Sequence, residues 1–265
     1  MIPARPSPLV QRFFDRYVPR HLGRWFHRVW LRGSPADVPR PTGTPVIYAM
    51  SHAAWWDVLV GYHMARHVVR LPSYAPMDEA QLRRYRILSR VGLYSVDRFS
   101  RRGMREFLAY TQDRLEEPAA VWLTPQGEIG PGRRRPVRFQ TGVGHLVRRL
   151  PEVIVVPVAI AYEFVEEPRP EIFVSFGAPQ AFRRPQEDAA TLTGRLAAAL
   201  ERELDGIEAA LLARDFRGFT VLLAGATSSS RVYDLVRRAR ALLTGRPDPA
   251  RHGDVLSDPR RGPRA

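Results

Sequence analysis

Short apolar runs of strand type alternate with segments of helical period, and this alternation constrains the fold more than any other feature of the sequence. The runs are V-I-Y-A-M (46–50), A-V-W-L-T (120–124), V-I-V-V-P-V-A-I (153–160) and E-I-F-V-S-F (171–176). Helical patterns lie between and after them, near 79–90, 102–115, 141–150 and 191–212. The sequence therefore predicts an α/β fold, with a mixed, largely parallel sheet covered by helices on both faces.

Five parts are predicted along the 265 residues. They are an N-terminal amphipathic element (1–33), a proline-rich linker (34–45), the α/β domain (46–212), a C-terminal basic segment with a helix near 231–243 (213–243), and a disordered tail (244–265).

The N-terminal element mixes large apolar residues with arginines at helical spacing, and Pro19 predicts a division into two short helices. The apolar side chains gather on one side of each helix, and most arginines lie elsewhere. Two interpretations remain open: docking on a membrane surface, or packing against the domain core. Tryptophan next to arginine slightly favours the membrane.

Composition narrows the chemistry. The cysteine count is zero, which excludes disulfides, thiolate metal sites and a cysteine nucleophile and fits a cytoplasmic protein. We expect neither a membrane span nor a secretion signal, because no apolar stretch approaches the ~20 residues that a span requires. All 41 basic residues are arginine and the net charge is +14, so anions are expected partners. Nucleic acid is disfavoured, because no recognised binding motif occurs.

The stretch S-H-A-A-W-W-D, from Ser51 to Asp57, follows the first strand. Residues five apart do not share a helix face, so His52 is expected before the helix and Asp57 in its first turn. The carboxylate could then bind one imidazole nitrogen and leave the other to accept a proton. Trp55 and Trp56 are expected to fill the gap and exclude water. The alternative is an ordinary capped turn. The other candidates, His63, His67 and His145, read as surface or packing residues.

Here the sequence resembles a known family. H-A-A-W-W-D resembles the His-x4-Asp motif of the glycerolipid acyltransferases, and three further blocks follow in that family's order. They are G-L-Y-S-V-D-R (92–98), T-P-Q-G-E (124–128) and V-V-P-V-A-I (155–160). The resemblance implies His52 as the base and Asp57 as its orienting partner. It implies substrate-binding roles for Arg98, Thr124, Pro125, Gln126, Gly127, Glu128, Arg135 and Pro157.

The same resemblance implies a fatty acyl donor, either acyl-CoA or acyl carrier protein, and a lipid hydroxyl as acceptor. No metal or prosthetic group is expected. The enzyme is expected at the inner face of the cell membrane, as a peripheral protein on anionic lipid. The sequence gives no indication of oligomeric state. A serine nucleophile is disfavoured, because no G-x-S-x-G elbow occurs.

The third block departs from the family pattern. Gln126 replaces the usual glutamate, and Ile129 stands where an arginine is common. These changes remove a negative charge and a guanidinium that can grip phosphate. They favour a non-standard acceptor, such as a lipid alcohol or carotenoid glycoside. Two alternatives remain: a lysophosphatidic acid acyltransferase of phospholipid synthesis, and a non-catalytic lipid-binding protein of the same fold.

Overall fold

The computed structural model describes residues 1–40, 43–116 and 119–225. The helices of this part are α1 (Pro8–Trp25), α2 (Asp57–His63), α3 (Glu79–Arg84), α4 (Arg101–Glu116), α5 (Gly142–Arg149) and α6 (Ala189–Ala213). A π-helical turn (Met64–Val69) continues α2, and a 3₁₀ segment (Arg86–Val91) follows α3. The strands are β1 (Arg28–Arg32), β2 (Val46–Met50), β3 (Ser73–Asp78), β4 (Leu93–Val96), β5 (Ala120–Leu123), β6 (Glu152–Glu163), β7 (Glu171–Phe176), β8 (Gln180–Arg183) and β9 (Phe219–Ala224).

All these strands belong to one sheet, whose spatial order is β4-β3-β5-β2-β6-β7-β1-β9, with β8 paired to β6. The five strands from β4 to β6 run parallel to one another. β7 runs antiparallel to β6, and β9 runs antiparallel to β1. The predicted mixed, largely parallel sheet is confirmed. The carboxyl ends of β2, β4 and β5 therefore open onto the same edge.

Strand β2 shows how the sheet is covered. Its alternate side chains Val46, Tyr48 and Met50 pack in one apolar cluster with α1, α2 and the π-helical turn. Ile47 and Ala49 point into a second cluster with α4, α5 and α6. Both faces of β2 are buried, as in a central parallel strand between helices. The expected helical cover on both faces is present.

The N-terminal element differs from the prediction of two short helices. Helix α1 runs unbroken through Pro19, because Val18 and Leu22 on either side of the proline are fully buried against the domain. The prediction of a second helix was wrong. Arg28–Arg32 is strand β1, which lies between β7 and β9 in the sheet. Residues 1–33 therefore contribute one strand of the sheet as well as a helix.

A polar contact fixes α1 to the domain. The Arg66 guanidinium donates two hydrogen bonds of 2.9 Å to the Asp15 carboxylate, and Tyr62 donates a third. These bonds hold the pKa of Asp15 below its usual range, with the Arg66 hydrogen bond as the main cause. Yet Leu9 and Phe13 on the other side of the helix are more than half exposed, at 75% and 61%. One face of α1 covers the core, while the other presents apolar side chains to the surroundings.

The prediction of a separate C-terminal basic segment (213–243) is wrong for part of that segment. Phe219–Ala224 is strand β9, so it belongs to the sheet rather than to a separate basic segment. The predicted helix near 231–243 and the predicted tail lie outside the described residues. No helix of the described part is long and apolar enough to cross a bilayer.

Candidate active site

The turn after β2 is anchored on both sides of Ser51. The Ser51 backbone N–H donates to the Val158 carbonyl at 2.9 Å, and the Ser51 hydroxyl accepts from the Ile160 N–H at 2.9 Å. Both partners belong to β6, the parallel neighbour of β2. The chain therefore leaves the sheet at a fixed point, and His52 lies at the edge where the parallel strands end.

The predicted contact between His52 and Asp57 is present. His52 Nδ1 lies 2.8 Å from Asp57 Oδ2, and Asp57 is the first residue of α2. The same oxygen accepts the backbone N–H groups of Ala53 at 2.7 Å and Ala54 at 2.9 Å. Asp57 is fully buried, whereas the His52 side chain is 19% exposed. Because Nδ1 donates to the carboxylate, Nε2 is the nitrogen that can accept a proton.

The third sequence block folds back onto this histidine. The Gln126 side-chain oxygen accepts the His52 backbone N–H at 2.6 Å, and the His52 carbonyl accepts from the Gly130 N–H at 3.0 Å. Gly127 has a φ of +78°, which favours glycine, and its N–H closes a turn on the Thr124 carbonyl. The loop after β5 thus holds the backbone of His52 through both its N–H and its carbonyl.

A cavity of about 470 Å³ opens beside the His52–Asp57 pair. Ala53, Ala54 and Tyr162 from the surroundings of Asp57 form part of its wall. Most of the remaining wall is apolar or aromatic, from Trp25, Phe26, Trp56, Phe164, Leu204, Ile207 and Leu211. Arg133, Arg135, Glu163 and Glu208 add charged groups. An apolar cavity of this size with a few polar groups is typical of small-molecule and lipid sites.

Comparison with known proteins shows what this arrangement is similar to. Residues 35–161, which hold all four sequence blocks, match the Acyltransferase family model. Over these residues the chain is similar to that family. Its fold is similar to that of the 1-acyl-sn-glycerophosphate (LPA) acyltransferase PlsC from Thermotoga maritima, with a TM-score of 0.53 and 16% sequence identity. The likeness covers 75% of this chain and 80% of that one.

At 16% identity, the likeness to that structure shows the fold alone. A comparison with curated proteins gave no significant match. The family match and the shared fold together confirm the predicted resemblance to the glycerolipid acyltransferases.

Two of the residues with predicted substrate-binding roles, Arg98 and Arg135, make polar contacts in or near the loop after β5. The Arg98 guanidinium, two residues after β4, donates to the Gly127 carbonyl and lies 4.9 Å from the centre of the Phe99 ring. Arg135 lies 2.8 Å from Asp205 and 3.7 Å from Glu208, two carboxylates of α6. Arg98 therefore lies next to the loop after β5 that binds the His52 backbone, whereas Arg135 lies next to the carboxylates of α6 at the cavity.

Two other residues with predicted substrate-binding roles, Pro125 and Pro157, accept backbone hydrogen bonds. The Pro125 carbonyl accepts the Gln140 N–H at 2.8 Å, and Glu128 is exposed. Pro157 is buried in β6 opposite Ala49, and its carbonyl accepts the Gly177 N–H. Pro157 lies within the sheet and is not among the residues that line the cavity.

The expectation for the tryptophans was half right. Trp56 packs against Phe26, with ring centres 5.0 Å apart, and lines the cavity. Trp55 does not fill the gap beside the histidine, because its side chain is 66% exposed. Among the histidines, His145 is exposed and His63 is buried, as surface and packing residues.

Sequence reasoning missed Tyr162. Its hydroxyl donates to Asp57 Oδ1, although 105 positions separate the two residues. Burial and the Asp57 carboxylate raise the pKa of Tyr162 well above its usual range, so the phenol remains a donor. The available signal was the length of the β6 run, which continues two residues beyond Ile160 to this tyrosine. Among the described residues, no group of three or more metal-ligating side chains occurs.

Proposed function

We propose that the protein is an O-acyltransferase that moves a fatty acyl group from acyl-CoA or acyl carrier protein onto a lipid hydroxyl. The observation that carries the proposal is the 2.8 Å contact between His52 Nδ1 and the buried Asp57 carboxylate. It fixes the tautomer in which Nε2 can remove a proton from an alcohol. The family match supports acyl transfer as the reaction class.

The reaction follows from that tautomer. The acceptor hydroxyl loses its proton to His52 Nε2 as its oxygen attacks the thioester carbonyl carbon. The carbon–sulfur bond then breaks, and the departing sulfur takes the proton from the imidazolium. Asp57 stabilises the imidazolium between these two steps and holds the ring in place. The ester forms and a free thiol is released, so the protein ends in its starting state.

The cavity supports a lipid substrate. Its apolar wall begins at Ala53 and Ala54, the residues whose N–H groups bind Asp57. An aliphatic chain in this cavity would be removed from water next to the reacting groups, which stabilises its binding by burial of apolar surface.

A neutral acceptor is the finer part of the proposal, with a lipid alcohol or a glycoside as its chemical class. Gln126 contributes an uncharged amide beside His52, and Ile129 is 53% exposed where the family often has arginine. The two arginines at the cavity already face carboxylates: Arg133 lies 2.7 Å from Glu163, and Arg135 contacts Asp205 and Glu208. An acceptor phosphate would have to compete with these acids.

A comparison of acceptors tests the proposal. With one acyl-CoA, release of free thiol is measured for a neutral lipid alcohol, a lipid glycoside and lysophosphatidic acid, using His52→Ala as the blank. We expect faster turnover with a neutral acceptor.

The paired change Gln126→Glu with Ile129→Arg should raise the rate with lysophosphatidic acid, and Gln126→Glu alone should not. A faster rate with lysophosphatidic acid in the unmodified protein would instead assign it to phospholipid synthesis. Absence of thiol release with every acceptor would favour a lipid-binding role.

Peripheral membrane binding belongs to the same proposal. The exposed apolar side chains of α1, together with the net charge of +14, favour binding to an anionic lipid surface. The variant Leu9→Ser with Phe13→Ser should sediment less with anionic vesicles, while its melting temperature stays unchanged. Leu212→Ser is the matched control, because Leu212 is 81% exposed at the end of α6. Equal losses in both proteins would contradict docking through α1.

A further inference from the structure

The Asp57 carboxylate is the most heavily hydrogen-bonded group near the candidate base. Oδ2 accepts three bonds, from His52 Nδ1 and from the Ala53 and Ala54 N–H groups. Within the described part of the chain, Oδ1 accepts one bond, from the Tyr162 hydroxyl. Since Asp57 is fully buried, a carboxylate oxygen without that donor would pay the full cost of lost hydration.

The position of Tyr162 follows from the sheet. β6 pairs with β2 up to Val158 opposite Met50, and then continues beyond the end of β2. Because side chains alternate along a strand, Tyr162 shares a face with Val158 and Ile160, which pack in the cluster that contains α2. The overhanging end of β6 thus places the phenol above the turn that carries His52.

We propose that Tyr162 is a positioning residue for the His52–Asp57 pair. The inference rests on the proposed transferase function. The hydroxyl fixes the rotation of the carboxylate, which in turn fixes Oδ2 against His52 Nδ1 and the two backbone N–H groups. Removing this hydrogen bond would leave more negative charge on the carboxylate beside the imidazole ring.

The ring of Tyr162 has a separate role from its hydroxyl. It forms part of the cavity wall, and its centre lies 5.9 Å from that of Phe26. Tyr162→Phe keeps this surface and removes only the hydrogen bond. We therefore expect KM to stay within about twofold and kcat to fall roughly tenfold, the usual effect of losing one hydrogen bond to a charged group.

The control variant is Tyr94→Phe. Tyr94 is fully buried on β4, and its hydroxyl lies 2.7 Å from Thr111 on α4, so this change also removes one buried hydrogen bond. Thermal melting should respond in both variants. Only Tyr162→Phe should lower kcat and move the acid limb of the pH–rate profile to higher pH.

NMR titration of the His52 ring gives a result that does not depend on turnover. In Tyr162→Phe the His52 pKa should rise, and in Tyr94→Phe it should match the unmodified protein. If no acceptor is turned over, the proposed function fails, and this titration still decides the role of Tyr162. A folded Tyr162→Phe protein with unchanged kcat and an unchanged His52 titration would overturn the inference.

A second measurement applies if Tyr162→Phe does not fold. In the unmodified protein, a hydroxyl proton bound to a carboxylate should exchange slowly and resonate downfield, and ring labelling of tyrosine should identify it. It should move upfield in Asp57→Asn. Failure to detect a protected Tyr162 hydroxyl proton in the unmodified protein would also overturn the inference.

Discussion

One histidine precedes α2 and another ends it, and their surroundings differ in exposure and in hydrogen bonding. His52, before the helix, is partly exposed and bound to a buried carboxylate. His63, the last residue of α2, is only 5% exposed, and its Nδ1 has no hydrogen-bond partner among the described residues. Burial, and secondarily the neighbouring His67, lower the pKa of His63 to about 4.

The difference lies in the acid partner. An imidazole with a carboxylate on one nitrogen can take a proton on the other, because the new charge is compensated. An imidazole buried among apolar side chains without such a partner stays neutral and acts as packing. Near His63, the Asp15 carboxylate is already bound to Arg66 and Tyr62. The comparison therefore predicts that changes at His52 alter activity, and that changes at His63 alter the pH dependence of stability.

The largest expected effect is that of His52→Ala. Removing the base should lower thiol release by roughly 10²-fold or more. The urea midpoint should change little, because the His52 side chain is partly exposed and its backbone bonds to Gln126 and Gly130 remain. Turnover measured alongside a denaturation curve checks both statements. Full activity in a folded His52→Ala protein is incompatible with the mechanism.

Asp57→Asn should reduce activity somewhat less, by roughly 10²-fold, because the ring loses its orientation but not its base. An amide offers fewer acceptors to the four donors around it, so stability should also fall, by about 1–3 kcal/mol. Asp15→Asn is the matched control, since it breaks the contact with Arg66 and Tyr62. That control should lose stability and retain kcat. Equal losses of kcat in both variants would remove the distinction between the two carboxylates.

The smallest effect concerns His63 and appears only in acid. Below the ordinary pKa of 6.5 the unfolded chain protonates His63, while the folded protein keeps it neutral down to about 4. The unfolded state then binds more protons, so stability falls as the pH decreases through this window, by up to about 3 kcal/mol. His63→Leu should flatten that fall and keep kcat within about twofold at neutral pH. Urea midpoints at several pH values, compared with His52→Ala, provide the measurement. A fall as steep in His63→Leu as in the unmodified protein would exclude His63 as its source.

The sequence predicted the local part of the site. Asp57 follows His52 by five residues, so the spacing alone limits their geometry, and the start of α2 at Asp57 agrees with it. The contacts of Gln126 and Tyr162 span 74 and 105 positions, and no local pattern specifies them. The parallel order of the strands brings these residues together.

The same limit explains the error at Arg28–Arg32. A five-residue run such as R-V-W-L-R fits a buried strand or part of an amphipathic helix equally well by its pattern. Its pairing with β7 and β9 decides in favour of a strand. Helix α1 likewise continues past Pro19 because tertiary packing outweighs the local cost of the proline.

The placement of β1 also bears on how the chain folds during synthesis. β1 pairs with β9, which lies far along the chain. For example, Gly33, directly after β1, accepts a hydrogen bond from Thr220 of β9 across 187 positions. Such pairing has a high entropic cost of loop closure and is slow to form. β1 is synthesised before β7 and β9, so its edges stay unpaired until those strands have been synthesised. During that interval the apolar strand can associate with other chains. Chaperone dependence and poor yield of C-terminally shortened proteins would follow from this one pairing.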